Sequence, residues 1–210
     1  AHHQRITETI GADPSRLTGW EHHLEMSCDP DLALDTLADL SQRSPQLVVD
    51  LLGDEDSACR LVRLLGASSE LGRHLVAHPD DLAEIAHDPV RRSRDEIRND
   101  LLEVVGAHED GEFLVAERPT GPAADRLRLA NRRHLVRIAS RDVGADDPTE
   151  VVEDIAGELA DLADAVVAAA LALTRADCPD HADARLAVIA MGKCGAQELN
   201  YISDVDVVHV

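Results

Sequence analysis

Aromatic side chains are almost absent from this chain, whose 210 residues include one Trp, one Tyr and one Phe. The core must therefore be packed from Leu, Val, Ile and Ala, a set that favours helices meeting through small interfaces. No run of about 18 apolar residues occurs, so no membrane-spanning helix is expected. The N-terminus carries no signal-peptide pattern, and a cytoplasmic protein with no membrane partner follows. The four cysteines, Cys28, Cys59, Cys178 and Cys194, show no C-x-x-C spacing. They are too few and scattered for a disulfide framework and read as reduced, mostly buried thiols.

Positive charge is also short. Against 41 acidic residues stand 20 basic ones, a formal net charge of −21, and Lys193 is the single lysine. That balance argues against non-specific nucleic-acid binding, which requires a basic surface to displace counterions. An anionic ligand would have to be held by a metal or by locally clustered cations.

What the chain does have is helical periodicity. Asp29-Pro30 can start a helix with Leu34, Leu37 and Leu40 on one stripe. Ser44 as N-cap with Pro45 at the first position starts the next, with Gly53 as its stop. Residues 55–65 carry Leu61, Leu64 and Leu65, with Gly66 as terminator. Ser68 or Ser69 caps a further helix ended by His78-Pro79, and Asp80 to His87 forms a short one. Residues 90–108 keep helical spacing through Ile97, Leu101, Leu102, Val104 and Val105. A loop signalled by Gly111, Pro119, Gly121 and Pro122 follows, then a helix over 123–142. Asp147-Pro148-Thr149-Glu150 starts a long helix, with Ile155, Leu159, Leu162 and Leu173 on its apolar stripe.

Beyond Pro179 the period changes. Residues 185–191 form a short apolar run, as expected of a buried strand, and Ser203–Val210 reads as a second strand. The fold class is thus mostly α: a helical region over 1–184, then the first strands of an α/β module over 185–210. The chain begins at Ala1 and stops at Val210 inside an expected strand, so a fragment is expected.

The chemistry is concentrated between these strands. Gly192 opens a turn after the first apolar run, and after eleven intervening residues come Asp204 and then Asp206 on the second. Alternate residues of a strand face the same way, so the two carboxylates would share a face with Cα atoms about 6–7 Å apart. Paired hard oxygen ligands of this kind suit divalent metals shared with a polyphosphate. A glycine turn lets backbone N–H groups approach phosphate oxygens, and Lys193 could add a point charge there.

Other features weigh less. Arg126, Arg128, Arg132, Arg133, Arg137 and Arg141 crowd one helix, with Arg133, Arg137 and Arg141 at i, i+4, i+8. They read either as a solvated, ion-paired face or as a cationic strip toward a site or an acidic partner. Gly192-Lys193-Cys194 lacks the Ser/Thr of a P-loop. His22-His23 with Glu25 lacks the histidine pair of a zinc site and reads as surface. Glu198 could cap the short helix or stand near a metal, and Tyr201 is expected to pack.

The strand, glycine turn, short helix and Asp-x-Asp strand resemble the nucleotidyltransferase superfamily. The wording is narrower. Met191-Gly-Lys-Cys-Gly-Ala-Gln-Glu-Leu-Asn-Tyr-Ile-Ser-Asp-Val-Asp206 closely resembles the MGKxGxxELNxxSDxD block of the glutamine synthetase adenylyltransferase family, whose members also remove AMP. Asn131 to Asp142 resembles that family's arginine-rich helix, and Ser44-Pro45-Gln46-Leu47 and His78-Pro79 are similar to further landmarks. This resemblance favours a buried ion-pair network for the arginine helix, docking it on the catalytic module.

The resemblance implies two nucleotidyltransferase modules joined by helical regions, with this segment similar to the first. That module removes AMP from a tyrosine of glutamine synthetase, using phosphate and releasing ADP, while the second attaches AMP from ATP. It also implies Asp204 and Asp206 as catalytic Mg2+ ligands, and Gly192, Lys193 and Ser203 as phosphate contacts. Glutamine synthetase and a PII-type nitrogen signal protein are the implied partners. A third carboxylate would come from a later strand, so the isolated segment is expected to be inactive. A non-catalytic helical docking scaffold and a part of the AMP-adding module are the alternatives.

Overall fold

The computed structural model describes residues 20–86, 89–181 and 184–210. They form two compact units. One holds the described residues up to Val90 together with Leu135–Pro148; the other holds Arg91–His134 and Thr149–Val210. No helix among the described residues is long and apolar enough to cross a membrane.

The first unit is helical: α1 (Trp20–Glu25), α2 (Pro30–Arg43), α3 (Pro45–Leu52), α4 (Glu55–Ala67) and α5 (Ser69–Ala77) precede a 3-10 turn (Pro79–Leu82) and α6 (Ala83–Ala86). Local chemistry sets most of the starts. Asp29 accepts the Leu32 N–H at 3.0 Å, Asp54 accepts that of Ser57 at 3.0 Å, and Ser68 accepts that of Leu71 at 3.2 Å. Each bond satisfies one donor that the first helical turn leaves over. Leu37, Leu40, Leu61, Leu64, Leu65 and Leu75 are fully buried around Trp20 and Val48. Burial of each such leucine stabilises the fold by about 1.5–3 kcal/mol. His87, the expected end of the last short helix, lies outside the described residues.

Ser44 is the N-cap of α3 with Pro45 in its first turn and Gly53 is its C-cap, as expected, although Ser44 makes no side-chain cap bond and Gly53 is right-handed, φ −81°. Other expectations here need correction. Gly66 lies inside α4, whose C-cap is Ser68. A Cβ on Gly66 would come within 1.8 Å of Ser27 Oγ and 2.8 Å of the Asp29 carbonyl oxygen. Close approach of the chain before α2 requires glycine there, not helix termination. The expected surface pair also splits: His22 is exposed and His23 buried.

The second unit contains α7 (Arg94–Val104), a hairpin of β1 (His108–Asp110) and β2 (Phe113–Val115), the first part of α8 (Thr120–Gly144), most of α9 (Pro148–Asp177) and a 3-10 turn (Pro179–His181). It ends with β3 (Val188–Ala190), the one-turn α10 (Gly192–Gly195) and β4 (Val207–His209). The start of α7 is a capping box, in which Ser93 Oγ accepts the Glu96 N–H and Glu96 accepts the Ser93 N–H. Residues 90–93, expected as helix, precede it without helical structure.

The β1–β2 hairpin replaces part of the expected loop. Asp110 pairs with Phe113 across the two-residue turn Gly111-Glu112. Gly111 has φ +64°, the left-handed value that a tight hairpin asks of its first turn residue. An acidic stripe on α9 then receives the segment before α7 and the first residue of that helix. Arg91 pairs with Asp154 and, at 3.4 Å, with Asp161. The Arg92 N–H donates to Glu158 at 3.1 Å, and Arg94 pairs with Asp164 at 2.7 Å. Glu158 is fully buried, so its bond to that N–H satisfies a carboxylate oxygen that water does not reach.

The arginines of α8 do not share one environment. Arg137 is buried and donates Nη1 to the Val90 carbonyl at 2.7 Å, whereas Arg133 is exposed and Arg141 half-buried. Arg126 donates to the Val104 carbonyl, and Arg128 pairs with Asp125 at the surface. The thiols also differ from expectation: Cys194 is buried, Cys59 half-buried, and Cys28 and Cys178 are exposed. The two exposed thiols sit in the connections just before α2 and just after α9.

Candidate functional site

β3 and β4 are antiparallel, with Val188 opposite His209, Ile189 opposite Val208 and Ala190 opposite Val207. Backbone bonds extend the ladder on both sides. Ala187 and Val210 exchange bonds of 2.8 and 3.0 Å, and the Met191 N–H donates to the Asp206 carbonyl at 2.8 Å. The regular strand is therefore shorter than the expected 203–210. Asp206 stands at its margin, and Asp204 precedes the ladder.

The alternation of side chains decides which way these residues face. Val188, Ala190, Val205 and Val207 line a cleft of about 730 Å³, with residues of α7 and α9 on its other side. Ile189 and Val208 alternate with them and are about half exposed. Asp206, whose carbonyl continues the ladder, falls in register with Val208 and so faces away from the helices. Asp204 precedes the ladder, and both carboxylates are exposed. The expectation of a buried strand is corrected: one face of this pair meets helices across the cleft, and the other is open.

Between the strands the chain makes one helical turn. Gly192 has φ +53°, a left-handed conformation that glycine adopts without strain. A Cβ built there would lie 3.5 Å from Asp206 Oδ2, so the glycine backbone and that carboxylate are neighbours. At Gly195 a Cβ would fall 2.4 Å from the Ala190 carbonyl oxygen, a backbone atom. The turn closes as helix ends often do: the Glu198 N–H donates to the Lys193 carbonyl at 2.8 Å, and the Gln197 N–H to that of Cys194. Gln197, at φ +61°, fills the left-handed position usually taken by glycine. Lys193 and Glu198 are exposed, and Tyr201, expected to pack, is 44% exposed.

Asn200 is the residue whose part the sequence reading missed. Its Oδ1 accepts the Ile202 N–H at 3.2 Å and the Ser203 hydroxyl at 2.7 Å. Two donors converge on one atom, which identifies that atom as the oxygen. The signal was present, since an Asn side chain that bonds the backbone two residues on is a common turn device.

Electrostatics around the cleft are set by burial. The Cys194 thiol is pushed above its ordinary value by burial and then by nearby Asp164, so it is an unreactive thiol at neutral pH. Asp161 is raised by burial, which outweighs the opposing pull of Arg91. No cluster of three or more His, Cys, Asp or Glu side chains able to hold a metal occurs among the described residues. Asp204 and Asp206 nevertheless fit Mg2+ in kind, since that ion is usually bound by one or two carboxylates together with substrate phosphates.

The class these features define is a mostly helical chain ending in an antiparallel strand pair, with two exposed carboxylates beside a glycine turn. Residues 58–210 match the family model of glutamate-ammonia ligase adenylyltransferase, and the chain belongs to that family. A bifunctional glutamine synthetase adenylyltransferase/adenylyl-removing enzyme of Cutibacterium acnes is 76% identical over 210 residues, covering 100% of this chain and 21% of the relative. Enzymes of the same description from Bifidobacterium longum and Mycobacterium tuberculosis are 38% and 37% identical, covering 89% and 91% of this chain and 18% and 20% of those relatives. The chain therefore spans about a fifth of the length of the curated relatives it matches. No solved structure matches it.

Proposed function

We propose that this chain is part of the adenylyl-removing module of a bifunctional enzyme that controls glutamine synthetase. Residues 185–210 begin the catalytic module and residues 1–184 form the helical region before it. The observation that carries this reading is that Asp204 and Asp206 are both exposed at the start of β4, with the Gly192 turn beside the Asp206 carboxylate. In the reaction a phosphate oxygen attacks the phosphorus of the tyrosine-linked AMP. A P–O–P bond forms, the bond from phosphorus to the tyrosine oxygen breaks, and the tyrosine takes up a proton as ADP leaves.

Mg2+ bound at the site would neutralise charge on the phosphates. Asp204 and Asp206 supply its carboxylate ligands, the Gly192 turn allows close approach of phosphate oxygens, and Lys193 adds a cation at the exposed edge. Ser203 stands next to the pair as a further polar contact. Glutamine synthetase is the macromolecular substrate, and a PII-type signal protein is the regulatory partner.

The test is a chimera in which this chain replaces the matching segment of the Cutibacterium acnes relative. Asp204→Asn should abolish removal of AMP from adenylylated glutamine synthetase and leave AMP addition intact. Loss of addition instead would assign the chain to the AMP-adding module. Retention of both activities would refute the metal role.

A further inference from the structure

We propose that Asn200 and Ser203 form a clamp that positions Asp204 and Asp206, and that Ser203 acts through this clamp and not as a phosphate donor. The inference rests on the function proposed above and revises the part played by one of its residues. A serine has two hydrogen-bond donors, its backbone N–H and its hydroxyl. Both go to Asn200. The Ser203 N–H donates to the Asn200 carbonyl at 3.3 Å, and the hydroxyl donates to Asn200 Oδ1 at 2.7 Å.

The unprotonated oxygens of phosphate accept hydrogen bonds, and Ser203 has no proton to offer them while the clamp is closed. The same Oδ1 also accepts the Ile202 N–H at 3.2 Å, fixing the turn from Asn200 to Ser203 at three points. Asp204 follows immediately. On the other side of the pair, the Asp206 carbonyl is tied to the Met191 N–H at 2.8 Å. The carboxylate pair is therefore held at both ends, by the strand ladder at Asp206 and by the clamp at Ser203, with only Asp204 and Val205 between. The ladder alone would leave Asp204 outside the paired region. Phosphate recognition then falls to the Gly192 turn and to Lys193, whose exposed ammonium carries three donors.

Two measurements test the clamp. In the 210-residue chain, Asn200→Ala should speed amide exchange at Ile202 by at least about tenfold, whereas Asn200→Asp, which keeps an acceptor oxygen, should not. Unchanged exchange in Asn200→Ala would overturn the clamp. In the chimera, Asn200→Ala and Ser203→Ala should lower kcat for AMP removal by about 10–100-fold with KM for phosphate unchanged, the mark of misplaced groups. Asn200→Asp should recover most of that loss. A tenfold rise in KM for phosphate in Ser203→Ala with kcat intact would make Ser203 a phosphate contact and overturn the proposal. Full kcat in Asn200→Ala beside an inactive Asp204→Asn would refute the clamp alone. An active Asp204→Asn would refute the underlying reading as well.

Discussion

His23 shows how one side chain couples the first unit to pH. Its imidazole is 8% exposed in α1, and its Nδ1 is buried without a hydrogen-bond partner. Burial lowers its pKa, the charges of Arg63 and His22 lower it further, and Glu55 opposes them. A group whose pKa is depressed by folding contributes stability that is complete above its unfolded value, about 6.5 for histidine. That stability is lost as the pH falls below 6.5 and through the lower folded value, because the unfolded chain then binds more protons. Thermal unfolding followed by Trp20, the only tryptophan and itself buried, should show a lower Tm at pH 5.5 than at pH 7.5. The His23→Gln variant should lose part of that dependence. Equal pH dependence in the variant would place the effect elsewhere.

At the scale of elements, termini are the features most directly written in the residues. The Ser93–Glu96 capping box fixes the start of α7, with the Ser93 N–H donating to Glu96 Oε2 at 2.7 Å and Ser93 Oγ accepting the Glu96 N–H at 3.3 Å. Ser93→Ala removes both the hydroxyl's bond to Glu96 and its capping acceptor, and should cost about 0.5–2 kcal/mol. Denaturant titration at constant m-value would measure it, and no change would mean that the docking of Arg91, Arg92 and Arg94 on α9 already fixes this start. The β1–β2 hairpin is signalled only by Gly111 at its turn, since His108-Glu109-Asp110 and Phe113-Leu114-Val115 show no apolar–polar alternation. Three-residue strands are too short for periodicity to stand out from a loop.

The whole molecule carries a formal charge of −21, and among the described residues pairs such as Arg91–Asp154, Arg94–Asp164 and Arg128–Asp125 are at least partly exposed. Exposed pairs contribute little each, while net self-repulsion acts over the whole folded chain. Raising NaCl from about 0.02 to 0.5 M shortens the screening length to a few ångströms and should raise the Tm. A fall would show that specific pairs such as Arg94–Asp164 outweigh the general repulsion. On the same scale, the open face carrying Asp206, Ile189 and Val208 is a property of how the strand pair meets the helices. An exposed carboxylate pair is accessible to a phosphate ligand, and a buried one would carry the desolvation cost of two charges.

Helix content, most helix starts and the block from Met191 to Asp206 were determined by the sequence, because caps, prolines and 3.6-residue spacing act over a few residues. The order of glycine turn, aspartate pair and strand belongs with them, and it was enough to point to the family. Tertiary structure decided the rest. Gly66 serves a close approach to residues far from its own turn, which no local pattern encodes. Arg133 and Arg137 differ in exposure although their spacing puts them on one helix face, because burial depends on what packs alongside. The direction in which Asp206 faces was settled by which side of β3 and β4 meets α7 and α9. A period of two fixes only that Asp206 shares a face with Val208, and long-range packing fixes toward what that face looks.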